Sequence, residues 1–249
     1  MLAMKLQKLH DARRFLENRT RFMDPMRPFS ETTHFETREG DTCVVKFDSI
    51  PFPEATSVKQ VFDALTFYCF NLEICTAEIK GAIVVREEAD PGDESVSHNR
   101  LVYPNACGVS VETNNIVFAE YTPSPSESHQ DSAEGLVTTD FVDHDEVYPY
   151  RPRERIREDV TSIFMVQARH PSRASSQQTP NKDDDCGEEY QPVVVLTRWV
   201  QAKLHHCEQL SLPDDILSEV REEMNHINDA IVTAVRGTLR PRKRLQYRC

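Results

Sequence analysis

Glycine is scarce in this chain, seven residues in 249, and a glycine-rich phosphate loop is excluded. There is no GxSxG elbow and no HExxH helix either, so no catalytic, metal or cofactor site is expected. No run of about 18 apolar residues is present to form a bilayer-spanning helix. Residues 1–23 alternate apolar and charged side chains without the continuous apolar stretch of a secretory signal. Their arginines and helical pattern suit a mitochondrial presequence, which Asp11 and Glu17 oppose. The seven cysteines are odd in number, scattered and without a CxxC pair, a pattern of free thiols rather than of disulfides or a zinc module. A soluble cytoplasmic protein is therefore expected.

Basic charge is also in deficit. The net charge of −12 argues against a general nucleic-acid binder, which needs an excess of Lys and Arg on its binding face. Only the end of the chain is basic. Every charged residue after Asp229 is positive, including Arg240, Arg242, Lys243, Arg244 and Arg248. Such a segment can meet anionic lipid head groups, or it can be a solvated tail.

What the chain does have is a long amphipathic pattern near its end. Ile216, Val220, Met224, Ile227, Ile231 and Val235 recur at spacings of three and four, which predicts one helix over 213–238 with a continuous apolar face. Pro213 and the two following aspartates suit its start, and Gly237 and Pro241 its end. Upstream, 1–23 reads as a helix stopped by Pro25 and Pro28, and Ser57 caps a second helix running to about Glu73. Strands are predicted at 41–48, 79–87, 97–103, 108–121, 136–142, 159–168 and 193–204, with Pro51-Phe52-Pro53 as a linker. The order is strand, helix, six strands, long helix. The connections mostly lack crossover helices, so the sheet should be antiparallel. The expected fold is α+β, a helix-grip of about seven curved strands packed on one long C-terminal helix. Its parts are a helical segment at 1–23, the main domain at 24–239 with a mobile loop insertion at 171–189, and a basic tail at 240–249.

Few residues invite a chemical role. Asp140, Asp143, His144, Asp145 and Glu146 offer oxygen and imidazole ligands, but their spacing matches no calcium loop and they read as an acidic turn. His205, His206 and Cys207 are adjacent and read as a strand end. Arg151, Arg153, Arg155 and Arg157 alternate with other residues, which at strand period would align them along one edge for surface ion pairing. Trp199, the only tryptophan, reads either as a cavity wall or as ordinary core under the C-terminal helix.

Three stretches carry a resemblance. TDFVDHDEVYPYRPRERIRED at 139–159, HNRLV at 98–102 and VVLTRWVQAKLHHC at 194–207 resemble the START-like proteins abundant in oomycetes, some of them labelled mating-specific. The similarity runs from about Phe22 to Thr238. Relatives often carry a longer N-terminal coiled or basic segment, of which 1–23 keeps a trace, and the loop at 171–189 is expanded. The resemblance implies a START-like cavity that binds a lipid or sterol. On that reading the protein is a noncatalytic binding or transfer module, with Val220, Met224, Ile227 and Ile231 as the helix wall and Phe164 and Trp199 opposite. The rival expectation is a regulatory scaffold whose START-like core is filled.

Overall fold

The computed structural model describes residues 2–80, 85–87, 94–105, 107–125, 132–170, 192–210, 212–224 and 226–239. The expected loop insertion at 171–189 and the basic tail at 240–249 lie outside these residues.

Eight strands form one sheet among the described residues. They are β1 (Phe29–Glu36), β2 (Thr42–Phe52), β3 (Val85–Glu87), β4 (Val96–Pro104), β5 (Ser110–Thr122), β6 (Glu134–Phe141), β7 (Ile156–Arg169) and β8 (Val193–Leu204). Their order across the sheet is β1-β2-β8-β7-β6-β5-β4-β3. All neighbours in this order are antiparallel, and a short parallel contact joins Val111 and Glu112 of β5 to Ile156 and Arg157 of β7. The helices are α1 (Leu2–Thr20), α2 (Val58–Phe70), α3 (Leu72–Lys80), α4 (Asp214–Glu223) and α5 (His226–Leu239). The α+β helix-grip architecture expected from the element order is the one present.

Strand parity sorts the side chains onto two faces. On the concave face Val137, Phe164, Val166, Val194, Leu196 and Val200 pack beneath α2 and α5. On the convex face Leu9, Ala12 and Leu16 of α1, spaced by three and four, pack on Phe47, Phe118, Leu136 and Met165. The convex face is secured by charge as well, with Arg13 reaching Glu134 at 2.6 Å and Glu120 at 3.0 Å.

Several local expectations change. The predicted helix over 213–238 is two helices, because Met224 adopts an extended ψ of 138° that ends α4. Val220 and Met224 pack toward Val44, Tyr103 and Leu204, whereas Ile231, Val235 and Leu239 pack toward α2 and the opposite end of the sheet. One straight helix would be roughly 39 Å long at ~1.5 Å per residue, and a curved sheet bends away beneath such a rod. The chain leaves the helical path at Met224, and α5 begins at His226. The strand expected at 79–87 begins as helix, since α3 runs to Lys80, and among the described residues of this stretch Val85–Glu87 pairs with β4. Strand β1 escapes a periodicity search because all eight of its residues are exposed. Pro51 belongs to β2 rather than to a linker. β1 ends opposite Ser49, so beyond it β2 is an edge that tolerates a missing N–H donor. The cap at Ser57 is as expected, its Oγ accepting from the Gln60 N–H at 3.1 Å.

Among the described residues, Gly135 is the glycine whose missing side chain the packing requires. A Cβ there would stand 2.5 Å from the ring of Phe62, which lies across β6 from α2. The substitution Gly135→Ala should cost about 1–3 kcal/mol through overpacking, and adding Phe62→Leu should return part of it. Urea denaturation of both variants measures this, and an unchanged midpoint in the single variant would contradict the packing.

Candidate ligand cavity

Between the sheet and the C-terminal helices lies a cavity of about 50 Å³. Its roof is Val220 of α4, Met224 at the break, and Ile227 and Ile231 of α5. Phe164 of β7 lies on its floor. Five of the six residues expected to share one site therefore surround one space. Trp199 does not. Val194, Leu196 and Val200 of β8 face the helices, so the odd-numbered Trp199 faces α1, where its ring meets Phe15 edge-on with centroids 5.2 Å apart.

The inward position beside Trp199 belongs to Arg198, which sequence reasoning passed over. It is buried, and its guanidinium has three partners: the Asp48 carboxylate, the Asn228 carbonyl at 2.7 Å and the Asp229 carboxylate. Lys46 adds bonds of 2.8 Å to both oxygens of Asp229. Burial alone would raise the Asp229 pKa, but the hydrogen bonds from Lys46 and Arg198 outweigh it and hold the carboxyl below its ordinary 3.8. This cluster joins β2, β8 and the first turn of α5. The signal available in sequence was a lone arginine within VVVLTRWV, readable as inward once strand phase is known.

The two roof helices are held very differently. Helix α5 buries Asn228, Ile231, Val235 and Leu239 and is pinned through Arg198, and its Thr238 hydroxyl lies 3.2 Å from that of Tyr68 on α2. Helix α4 buries Val220 alone. One wall is fixed and the other is lightly attached.

The floor is partly polar. Thr113 and Asn115 of β5, Thr139 of β6 and Ser162 of β7 line the space, with Thr139 and Ser162 opposite one another in register. Tyr103 donates to Glu158 at 2.9 Å, and burial together with the charge of Glu158 pushes the phenol pKa well above 10.0. Cys69 also lines the space, and burial raises its pKa so that it remains a thiol rather than a nucleophile. Reactive thiolates need the opposite environment.

Most of the charged residues of the distinctive block at 139–159 lie on the other side of the sheet, whereas Thr139 and Glu158 line the cavity. Arg155 and Arg100 converge on buried Glu112 at 2.9 and 3.0 Å. Asn114 donates to Asp145, and Arg157 reaches Asp159 at 2.7 Å and the Val142 and Asp143 carbonyls. Asp159 also takes His205 at 2.6 Å. The arginines therefore do not form one edge row: only Arg157 is in β7, while Arg151 pairs with Glu154 in the preceding turn. No group of three metal-ligating side chains occurs among the described residues.

No family model matches the chain, and no curated protein matches it. Among solved structures, human STARD10 is 11% identical, with 91% of this chain and 78% of that chain covered at a TM-score of 0.45. Ara h 8.0201 is 10% identical, with 85% and 98% covered at a TM-score of 0.28. The architecture given above rests on sheet order and helix placement. No helix among the described residues is long and apolar enough to cross a membrane.

Truncating Arg198 to Met would leave Asp48 buried without its partner and should cost about 3–5 kcal/mol. Pairing Arg198→Met with Asp48→Leu should recover much of that, as read from chemical denaturation; equal losses in both would mean that the two residues are not coupled. The depressed carboxyls Asp229 and Asp159 also set a pH dependence. Folded pKa values below the ordinary 3.8 contribute stability that is present above about pH 4 and lost as pH falls through the folded values. Asp229→Asn should flatten this acid limb in a denaturation series from pH 6 to pH 2.5, and an unchanged slope would remove Asp229 from the account.

Proposed function

We propose that this chain is a noncatalytic module that binds an amphiphilic molecule of the lipid class between the sheet and the C-terminal helices. The observation that supports the reading is the divided roof: α5 buries four side chains and is tied to the sheet through Arg198, while α4, over the same cavity, buries Val220 alone, with Leu217 half-buried beside it and Glu219 accepting from Cys107 at 2.5 Å. Small-molecule sites commonly measure ~300–1,000 Å³, and 50 Å³ holds a head group or a few waters. A chain enters only if α4 swings off the sheet about the break at Met224, carrying Val220 with it. The acyl or sterol body then replaces those apolar contacts. Burying about eight methylenes would contribute about 6 kcal/mol before ordering costs.

In this reading transfer follows from reversible opening, and the tail at 240–249 meets anionic head groups at a membrane surface. The protein works in the cytoplasm. Its narrower kinship is with the oomycete START-like proteins labelled mating-specific, supported by the three quoted stretches.

One observation favours a second reading. A space of about 50 Å³ is also what a regulatory scaffold with a filled core would have, since well-packed interiors retain few voids larger than a water. Native mass spectrometry of purified protein, followed by solvent extraction and a panel of fatty acids, monoglycerides, amino alcohols, sterols and phospholipids, separates the two. Binding should come with slowed amide exchange in α4, which exchanges faster than α5 in free protein. Empty protein and no binding across the panel would leave the filled scaffold. The variant Met224→Ala should cost about 2–5 kcal/mol of stability yet admit bulkier ligands, and loss of stability with no gain in capacity would count against the roof.

A further inference from the structure

One edge of the sheet is open. β1 lies at the end of the strand order and pairs on its inner side with β2, and all eight of its residues are exposed. Among the described residues no second strand pairs with it. An edge of this kind offers a row of N–H and C=O groups to another strand, and proteins ordinarily blunt it with a bulge, lysine, proline or a covering element. β1 has none of these. Its register with β2 runs unbroken from Phe29↔Ser49 to Glu36↔Thr42, and the strand FSETTHFE contains neither lysine nor proline. Two glutamates are its only charged guards, and Glu31 is already held by Arg19 at 3.0 Å. The same side of the sheet is managed differently where β2 runs on alone past Ser49. There Pro51 removes a donor, Pro53 follows, and Arg236 donates to the Pro51 carbonyl at 3.0 Å. A guarded stretch beside an unguarded one marks β1 as a pairing surface.

The residues of β1 fit a second copy of themselves. In a two-fold pairing that continues the sheet, side chains meeting across the seam share a face, so the paired residue numbers are both odd or both even. The ring of Phe29 lies 5.9 Å from that of Phe47, which places the odd positions on the convex side with α1. A register centred on Thr32 sets each Phe29 opposite the second copy's Phe35, each Ser30 opposite its His34 and each Glu31 opposite its Thr33. The two phenylalanines, 40% and 46% exposed in the single chain, then lengthen the aromatic row begun by Phe47. Cross-strand aromatic pairs stabilise a sheet, and like charges directly opposite destabilise it. The neighbouring registers fit worse. Centring on Glu31 sets two carboxylates against each other, and centring on Thr33 matches Phe35 with Glu31.

We propose that β1 joins the β1 of a second copy of this chain, antiparallel and centred on Thr32, so that two sheets become one across a two-fold axis. The seam is about 27 Å long, eight residues at ~3.4 Å each, which makes it a small and reversible interface. The net charge of −12 on each copy opposes association, and salt screens that repulsion. The cavity beneath α4 and α5 lies on other strands, so dimerisation and ligand binding are separate properties.

Sedimentation of the full chain from about 1 to about 300 µM should show a reversible monomer–dimer equilibrium that tightens at higher salt. Thr32→Lys brings two ammonium groups face to face at the axis and should weaken dimerisation by at least about tenfold. Phe29→Lys and Phe35→Glu should each weaken it as well, whereas the double variant sets opposite charges across both ends of the seam. It should return to within about threefold of the parent. Mild oxidation should link the Thr32→Cys protein through the two introduced thiols, identified by mass spectrometry of the joined peptides, and should link Thr33→Cys far less. All four positions are exposed, and thermal unfolding checks that each variant is folded. A chain that stays monomeric over the whole range, an unchanged dimer in Thr32→Lys, or preferential linking of Thr33→Cys each overturns the proposal, and each leaves the ligand-binding reading standing.

Discussion

The arrangement depends on one buried guanidinium. Arg198 sits on the inner face of β8, next to the centre of the sheet, and ties β2 through Asp48 to α5 through Asp229 and the Asn228 carbonyl. Such a cluster is weak evidence for stability, because desolvating the charges costs about what their attraction returns. What it supplies is position. Apolar stripes slide and rotate on a sheet at little cost, whereas a guanidinium with three directed partners admits one register. With the start of α5 fixed, Ile231, Val235 and Leu239 fall onto the concave core, and the chain before His226 must bend to reach the other end of the sheet.

That bend separates a fixed wall from a lightly held one over a floor that is polar in its middle. The core beneath α2 and α5 is apolar and densely packed, with Phe62 set directly on Gly135. Toward α4 the packing gives way to Thr113, Asn115, Thr139 and Ser162, and to the Tyr103–Glu158 pair. A fold selected only for stability would place apolar side chains there, since an unpaired buried polar atom such as the Asn115 side-chain oxygen costs about 1–3 kcal/mol. In the proposed reading, this polar floor beneath the lightly held helix is what joins architecture to binding.

The convex face has a different task. α1 covers one part of it with Leu9, Ala12 and Leu16, and the segment between β6 and β7 covers another through Arg155, Arg157 and the Asn114–Asp145 bond. The acidic and basic residues of 139–159, the most conspicuous phrase in the chain, thus neutralise one another across β5 and β7. Charge alternation there is structural pairing on a sheet surface.

Much of the fold could be read directly from the residues. β8 has the same bounds in the pattern and in the structure, Ser57 caps α2, and the stripe from Val220 to Val235 does face the sheet. These are local matters, set by side-chain period and by hydrogen bonds within a turn. Strand phase is not local. In VVVLTRWV both faces are buried, one under α1 and the other under α5, so no polar alternation marks which way Trp199 or Arg198 points. Tertiary packing decided that Trp199 faces α1 and Arg198 faces α5. It also decided that one amphipathic pattern becomes two helices, because a continuous stripe does not register the curvature of the surface it must cover. The polar side chains of the cavity floor, Thr113, Asn115, Thr139 and Ser162, come from three strands and are separated by up to 49 residues. Only the assembled sheet brings them together.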